Sequence, residues 1–362
     1  MSFVKKKILY LSIGGRSVLF KKNGPSEFFF GGREFIQQGH YFEIMEIDSN
    51  IYNVSVNTFV RTINFLSSKF FGFPFGYFWI MASQKNIMLQ FNKFDQIVVT
   101  TARLGLSLLL IKKLFKICPH ISYITMGLVN KNTNFLKIWI YRLLITDGVT
   151  LSALSESEAL YVESKLNKKV EFIPFGVDFE YWHPLKTEKF NSDYVFSMGN
   201  DPRRDFSLLI DVWKINYPKL LIITSLPIRT SKKNVEVRAG SWKGQEFSDD
   251  ELREIYRAAK LVIVPSIETQ QPSGQSVTLQ AMSCGKAVIY PNIKGIWDSK
   301  IMVDDENIFL YEPEDNESLT KKIDYALSSE KKLNSIGILA RSTVEKYYGV
   351  KDMAEKTLNP IK

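Results

Sequence analysis

The stretch from Leu261 to Tyr290 constrains the fold of this chain more than any other. Leu261 to Val264 is an apolar run of strand length, rich in β-branched residues, and Pro265 ends it. A polar loop containing Pro272 and Gly274 follows. Val277, Leu279, Ala281 and Met282 then recur at a spacing that buries one face of a helix. Ser273 or Ser276 is placed to cap that helix, Gly285 closes it, and Lys286 to Tyr290 reads as the next strand. Strand, glycine loop, helix, strand is a βαβ unit. Its helix starts at the carboxyl end of a strand, where free N–H groups and a partial positive charge favour an anion, here a phosphate. Taken alone, these residues also allow a glycine that only turns the chain before a helix that only packs.

The alternation extends along the chain. Ile8 to Ile13 is an apolar strand that runs into Gly14, Gly15 and Arg16; a helix is expected from Pro25 and Ser26 to Gly39, and Tyr41 to Ile47 is the following strand. These glycines do not fit the dinucleotide fingerprint G-x-G-x-x-G. His40 is expected to occupy a turn. Further strands are expected at 95–100, 121–125, 150–155, 193–198, 220–224, 235–239 and 307–311. Helices are expected at 102–116, 135–144, 207–214, 247–259, 318–327 and 335–347, with one after the capping pattern Ser155-Glu156-Ser157-Glu158 and a last one from about residue 351. The class is α/β.

At 362 residues the chain exceeds one core, and a polar, charged stretch from Leu185 to Ser192 marks the division into two domains. Cys118 and Cys284 have no metal-ligand neighbours, and Lys5, Lys6 and Lys7 lead straight into the first strand, so a cytoplasmic protein without an export signal is expected. No run is long and apolar enough for a spanning helix.

The net charge of +9 is unevenly spread: residues 1–184 carry 21 Lys and Arg against 13 Asp and Glu, the remainder 26 against 25. The basic half also holds Phe28 to Phe30, an aromatic run from Lys69 to Met81 and the basic apolar segment Ala102 to Lys116. Cations beside exposed aromatics suit an anionic membrane surface or a lipid-linked substrate. Aromatics in the core with a solvated lysine rim are the alternative. No nucleic-acid-binding signature accompanies the charge, and no nucleic-acid partner is expected.

Several motifs together resemble the GT-B glycosyltransferases, specifically the retaining family 4. Ala281 to Ile289, AMSCGKAVI, matches the helix end and strand of that family's sugar-nucleotide motif. Ile173-Pro174-Phe175-Gly176-Val177-Asp178 resembles its Ile-Pro-Asn-Gly-Val-Asp hallmark, and Tyr181-Trp182-His183-Pro184 the usual continuation. Gly39-His40, Ser155-Glu156 and Glu312-Pro313 also find counterparts. The family's paired glutamates are absent here, with Pro272 at the first position, Gln280 at the second and Glu268 as the nearest loop carboxylate. Where the family has Gly-Arg and Lys-Gly, this chain has Gly199-Asn200 and Arg203-Arg204. Where it commonly has His-Gly, this chain has Met126-Gly127.

The resemblance implies two Rossmann-like domains facing each other across a cleft: residues 1–185 for the acceptor, 186–348 for the nucleotide sugar, and a helix at 349–362 returning to the first domain. It implies transfer of a sugar from a nucleotide-diphosphate donor to a lipid-linked or polysaccharide acceptor with retention, in bacterial surface polysaccharide assembly at the inner face of the cytoplasmic membrane. The expected donor site comprises Gly14, Gly15, Met126, Gly199, Asn200, Arg203, Gly274, Gln275, Ser276 and Gln280. Arg204, Arg16 and Glu268 are the expected catalytic residues, Arg204 foremost, because a guanidinium neutralises phosphate charge. Neither a cofactor nor a metal is expected. Met126 in place of His suits a donor with a less polar C6, such as a 6-deoxy sugar or a pentose. A non-catalytic nucleotide-sugar binder or partner subunit and a GT-B epimerase are the alternatives.

Overall fold

Strands rich in Ile, Val and Leu, covered by helices on their faces, assemble into two wholly parallel sheets of six strands each. The computed structural model describes residues 5–22, 24–47, 57–185, 194–240 and 246–358. It divides into two units, Met1–Ile173 with Met353–Lys362, and Pro174–Asp352. Each unit is a doubly wound, Rossmann-like layer structure.

The first unit contains β1 (Lys7–Ser12), β2 (Tyr41–Glu46), β3 (Gln96–Val99), β4 (His120–Ile124), β5 (Val149–Ala153) and β6 (Val170–Phe172), in spatial order β2-β1-β3-β4-β5-β6. Its helices are α1 (Arg16–Lys21), α2 (Gly32–Gln37), α3 (Thr58–Phe71), α4 (Phe75–Ser83), α5 (Lys85–Phe91), α6 (Ala102–Phe115), α7 (Phe135–Leu144) and α8 (Glu156–Leu166). Leu9, Leu11, Ile97, Val99, Ile121 and Leu108 form the centre of its core. The single helix expected from residue 25 to 39 is instead a 3₁₀ turn, Ser26–Phe29, followed by α2, because the backbone turns left-handed at Phe30 and Gly31. The region from 49 to 93, where sequence periodicity assigns nothing, holds α3, α4 and α5 from residue 57 onward; residues 49–56 lie outside the described residues. His40 is buried just after the turn at Gln38 and Gly39 rather than within it, its Nδ1 accepting from the Lys6 N–H at 3.0 Å.

The second unit contains β7 (Tyr194–Met198), β8 (Lys219–Thr224), β9 (Val235–Ala239), β10 (Leu261–Ile263), β11 (Val288–Pro291) and β12 (Phe309–Tyr311), in order β12-β11-β10-β7-β8-β9. Its helices are α9 (Phe206–Val212), α10 (Asp249–Ala258), α11 (Gln275–Ser283), α12 (Asn316–Leu327) and α13 (Glu330–Tyr347). A Ser248–Glu251 capping box starts α10. The last helix, α14 (Val350–Leu358), leads back to the first unit, where Gln96 Nε2 donates to the Thr357 carbonyl at 2.9 Å and Lys6 Nζ to that of Leu358 at 3.0 Å.

The division falls at Ile173 and Pro174, whereas the polar stretch read from sequence places it at 185 and 186; residues 186–193 lie outside the described residues. The hallmark segment explains the difference. Trp182 is fully buried, edge-on to Tyr256 at 5.8 Å, and its carbonyl accepts from Ser283 Oγ at 2.7 Å and Arg341 Nη1 at 2.9 Å. The Val177 N–H donates to the Tyr348 carbonyl at 2.8 Å. Packing therefore ties 174–184 to α11 and α13, although the change in polarity comes later.

Removal of the Trp182 indole leaves a cavity under α11. Trp182→Ala is expected to cost about 3–5 kcal/mol, read as a lower urea midpoint by near-ultraviolet circular dichroism.

Candidate functional site

Strand order reverses between β7 and β10, so the loops leaving these adjacent strands run apart on opposite sides of the sheet and leave a crevice at their carboxyl ends. The loop after β7 carries Gly199 to Asp205, and that after β10 leads to Gly274 and α11. Between them lies Arg204. It is buried, with Nη1 donating to Ser273 Oγ at 3.2 Å. A Cβ added to Gly274 would come within 2.6 Å of that Nη1 and within 2.6 Å of Val264 Cγ1; one added to Gly199 would collide with Arg204 Nε. Gly274 also has φ +91, which favours glycine independently of the space around it. The guanidinium thus occupies a slot that only two glycine backbones leave open.

Its electrostatic surroundings are specific. Asp201 grips the neighbouring Arg203 in a two-pronged pair, Nε to Oδ1 and Nη2 to Oδ2 both at 3.0 Å. Ser273 Oγ donates to Asp201 Oδ2 at 2.9 Å, and the Tyr290 hydroxyl donates to the Ser273 carbonyl at 2.6 Å. Burial pushes the Asp201 carboxyl up, but the bonds from Arg203 and Ser273 outweigh it and the net shift is downward. The Asp201 charge is therefore largely spent on Arg203. Burial pulls the Arg204 guanidinium below its ordinary value, against the raising influence of Tyr290 and Asp201. Arg204 Nε has no hydrogen-bond partner among the described residues. A buried cation with an unmet N–H is costly, and an anion would satisfy it. The start of α11 stands beside it: Gly274 is its N-cap, no side chain caps it, and a helix has no internal acceptors for its first-turn N–H groups.

The expected residues fall into separate sets. Arg204, Gly199, Gly274, Gln275 and Ser276 gather at this slot. Neither Ser273 nor Ser276 caps α11, as the sequence suggested; the Ser273 hydroxyl is committed to Arg204 and Asp201. Asn200 ties strands together, with Oδ1 accepting from the Ser225 N–H at 2.5 Å and Nδ2 donating to the Gly240 carbonyl at 3.1 Å. Gln280 is buried on α11, its Oε1 accepting from the Tyr256 hydroxyl at 3.3 Å. Glu268 is half-buried and its Oε1 accepts from the Lys294 N–H at 3.1 Å. His183 pairs with Arg257, Nη2 lying 2.8 Å from Nε2, which is a structural role. Cys284 is buried, its thiol pushed up to about 12 by desolvation.

Gly14, Gly15, Arg16 and Met126 belong to the first unit. Arg16 lies over the Phe28 ring at 5.5 Å; burial lowers its pKa, while Tyr10 and Glu46 raise it. The Glu46 carboxylate accepts from the Ser17 N–H and hydroxyl, each at 2.8 Å, at the start of α1. Met126 is 53% exposed, and the Gly127 N–H after it donates to Glu158 Oε1 at 2.7 Å. Asp201, Ser273, Glu46 and Glu158 are the participants that sequence reading missed. Among the described residues no group of three or more His, Cys, Asp or Glu side chains could hold a metal ion.

Residues 233–343 match the model of the family described as glycosyl transferases group 1. Over this segment the chain is similar to that family. The segment includes Gly274, Gln275, Ser276, Gln280 and Glu268, and begins after Arg204. Among solved structures, a glycosyltransferase from Rickettsia africae matches with 16% identity and a TM-score of 0.68, over 99% of this chain and 98% of that one. HepE of Anabaena, solved in complex with UDP-glucose, matches with 13% identity and a TM-score of 0.68 over 98% of both chains. Sucrose-phosphate synthase from Thermosynechococcus elongatus matches with 14% identity and a TM-score of 0.67, also over 98% of both. The chain has their GT-B fold. A search of the curated proteins finds no match.

Asp201 has a depressed folded pKa, so its contribution to stability is present above the unfolded value of about 4 and is lost as pH falls through the folded one. Asp201→Asn is therefore expected to unfold at lower urea than the parent at neutral pH. The gap should close on acidification through that window, as followed by urea titration at stepped pH.

Proposed function

We propose that this protein transfers a glycosyl group from a nucleoside diphosphate sugar to a lipid-linked or polysaccharide acceptor, with retention of configuration. The observation that carries the reading is the buried Arg204, with its unmet Nε, beside the uncapped start of α11. In such a reaction the bond from the sugar C1 to the terminal phosphate oxygen breaks, a bond from C1 to the acceptor hydroxyl oxygen forms, and the hydroxyl proton is released. The bonding pair of the broken bond stays on the leaving diphosphate. Negative charge growing there is what Arg204 and the first-turn amides near Gln275 and Ser276 would stabilise, already oriented before the reaction begins.

HepE, whose structure holds UDP-glucose, supports a nucleoside diphosphate sugar as the donor class. Retention rests on the resemblance to family 4. Gln280 stands at the family's ribose-binding position but is buried against Tyr256, and exposed Met126 favours a sugar with a less polar C6. Arg16 would add a second cation, and Glu268 is the carboxylate on the loop before α11. The guanidinium supplies the charge that a metal supplies elsewhere, so metal-independent transfer is part of the proposal. Among the described residues no helix is long and apolar enough to cross a membrane. A peripheral place on the inner face of the cytoplasmic membrane, in surface polysaccharide assembly, completes the reading. The replacement of the paired glutamates by Pro272 and Gln280 favours one second reading, a nucleotide-sugar binder without turnover.

The test is transfer by mass spectrometry over a panel of UDP-, GDP- and dTDP-sugars with membrane extract as acceptor. One donor should turn over, and Arg204→Ala should lower kcat by about 10²–10³-fold. Excess EDTA should leave the rate unchanged. A 6-deoxyhexose or pentose donor should outrun its hexose analogue; equal rates would reject the role given to Met126. Binding across the panel without turnover would establish the second reading.

A further inference from the structure

Residues 57–146 of the first unit contain eleven Lys and Arg residues and one acid, Asp95. That carboxylate is engaged, its Oδ2 accepting from the Lys7 N–H at 2.7 Å. Some of the cations bond carbonyl oxygens, which leave their charge intact: Lys113 Nζ donates to Leu143 at 2.6 Å and Arg142 Nη2 to Lys165 at 2.6 Å. The same residues expose aromatics, with Phe135 at 83%, Phe59 at 71% and Phe65 at 63%. On α3 only Val60 is buried. Phe59, Leu66 and Phe70, spaced by seven and four, make one apolar stripe along its outer side.

These helices form a continuous layer. The Gly76 N–H at the start of α4 donates to Asn64 Oδ1 on α3 at 2.8 Å, and Ser107 Oγ on α6 donates to the Pro74 carbonyl at 3.1 Å. Among α3, α4 and α6 lies an open pocket of about 690 Å³, with Phe65, Tyr77 and Leu106 in its wall beside Lys69 and Arg103. Neither cation has a hydrogen bond or an ion pair with a described residue; Lys69 Nζ only overlies the Phe65 and Phe70 rings at 5.8 and 5.7 Å. A soluble surface seldom leaves a large apolar patch and a one-sign charge field together without a use for both.

We propose that this face docks on a bilayer containing anionic phospholipid, with Lys69 and Arg103 taking a lipid phosphate at the pocket and the α3 stripe entering the boundary between headgroups and acyl chains. Charge decides against a second copy of the chain, which would bring two strongly basic faces together. Apolar side chains alone would suit any bilayer; the unpaired cations select an anionic one. The inference extends the lipid-linked-acceptor reading, but it is measured without turnover. A failed transferase assay leaves it standing, and failed docking leaves the nucleotide site untouched.

The experiment is co-sedimentation of the full chain with phosphatidylcholine vesicles, with and without phosphatidylglycerol. Binding is expected only with phosphatidylglycerol and should weaken with salt. Lys69→Gln with Arg103→Gln should lower the partition coefficient about thirty-fold, and Leu66→Ser with Phe70→Ser at least about tenfold. Lys331→Gln with Lys351→Gln, exposed positions elsewhere, should leave it unchanged. All four positions in the face are exposed, and circular dichroism together with nucleotide-sugar binding verifies that each variant is folded. Equal partition to both vesicle types would overturn the proposal, as would parental binding by both face variants, or a dimer in light scattering that the Leu66 and Phe70 changes dissolve while vesicle binding persists.

Discussion

The second unit depends on one costly placement, a guanidinium held out of water between two glycine backbones. Arg204 cannot occupy its slot unless Gly199 and Gly274 lack side chains, and Gly274 at the same time starts α11 in a left-handed conformation. One residue type thus satisfies two demands, space for the cation and a turn into the helix. The parallel sheet supplies the rest, because its strand order reverses between β7 and β10 and brings their two loops to the same end. The geometry of the candidate site is a product of topology as much as of side chains.

Around that cation the polar groups are apportioned. Asp201 could have neutralised Arg204, but its geometry gives it to Arg203, with Ser273 bridging the two systems by donating to the acid and accepting from the arginine. Arg204 is steered without being discharged. A low-dielectric surround makes such an arrangement expensive in isolation and effective toward a polyanion, since each remaining N–H acts with little solvent screening.

Much of this was legible in the chain. The β-branched runs marked every described strand but β6 to within about two residues, and the glycine loop before α11 marked the candidate site, because strand period and turn chemistry are local signals. Arg204 stood out by its place after a strand and a glycine. The partners were not legible: Ser273 looked like a helix cap, and its bonds to Asp201 and Arg204 join residues about seventy positions apart. Asn200 looked like a ligand residue from its position in a motif, yet its amide bridges the ends of β8 and β9. Helices α3 to α5 escaped because a period is recognised by its buried face, and α3 buries little; its outward aromatics blur the pattern. The boundary shifted for the converse reason, since Trp182 binds a polar-flanked segment to the second core.

The clamp of Glu46 on Ser17 sets the two similar units apart. In the first, the helix that follows the opening strand already holds a carboxylate of its own chain, supplied by the end of β2. In the second, the helix after the switch-point strand begins with a bare glycine beside a buried guanidinium whose Nε has no hydrogen-bond partner among the described residues. Two copies of one architecture thus differ at a helix start: one is met by a carboxylate of its own chain, while the other stands beside a buried guanidinium whose Nε has no partner among the described residues.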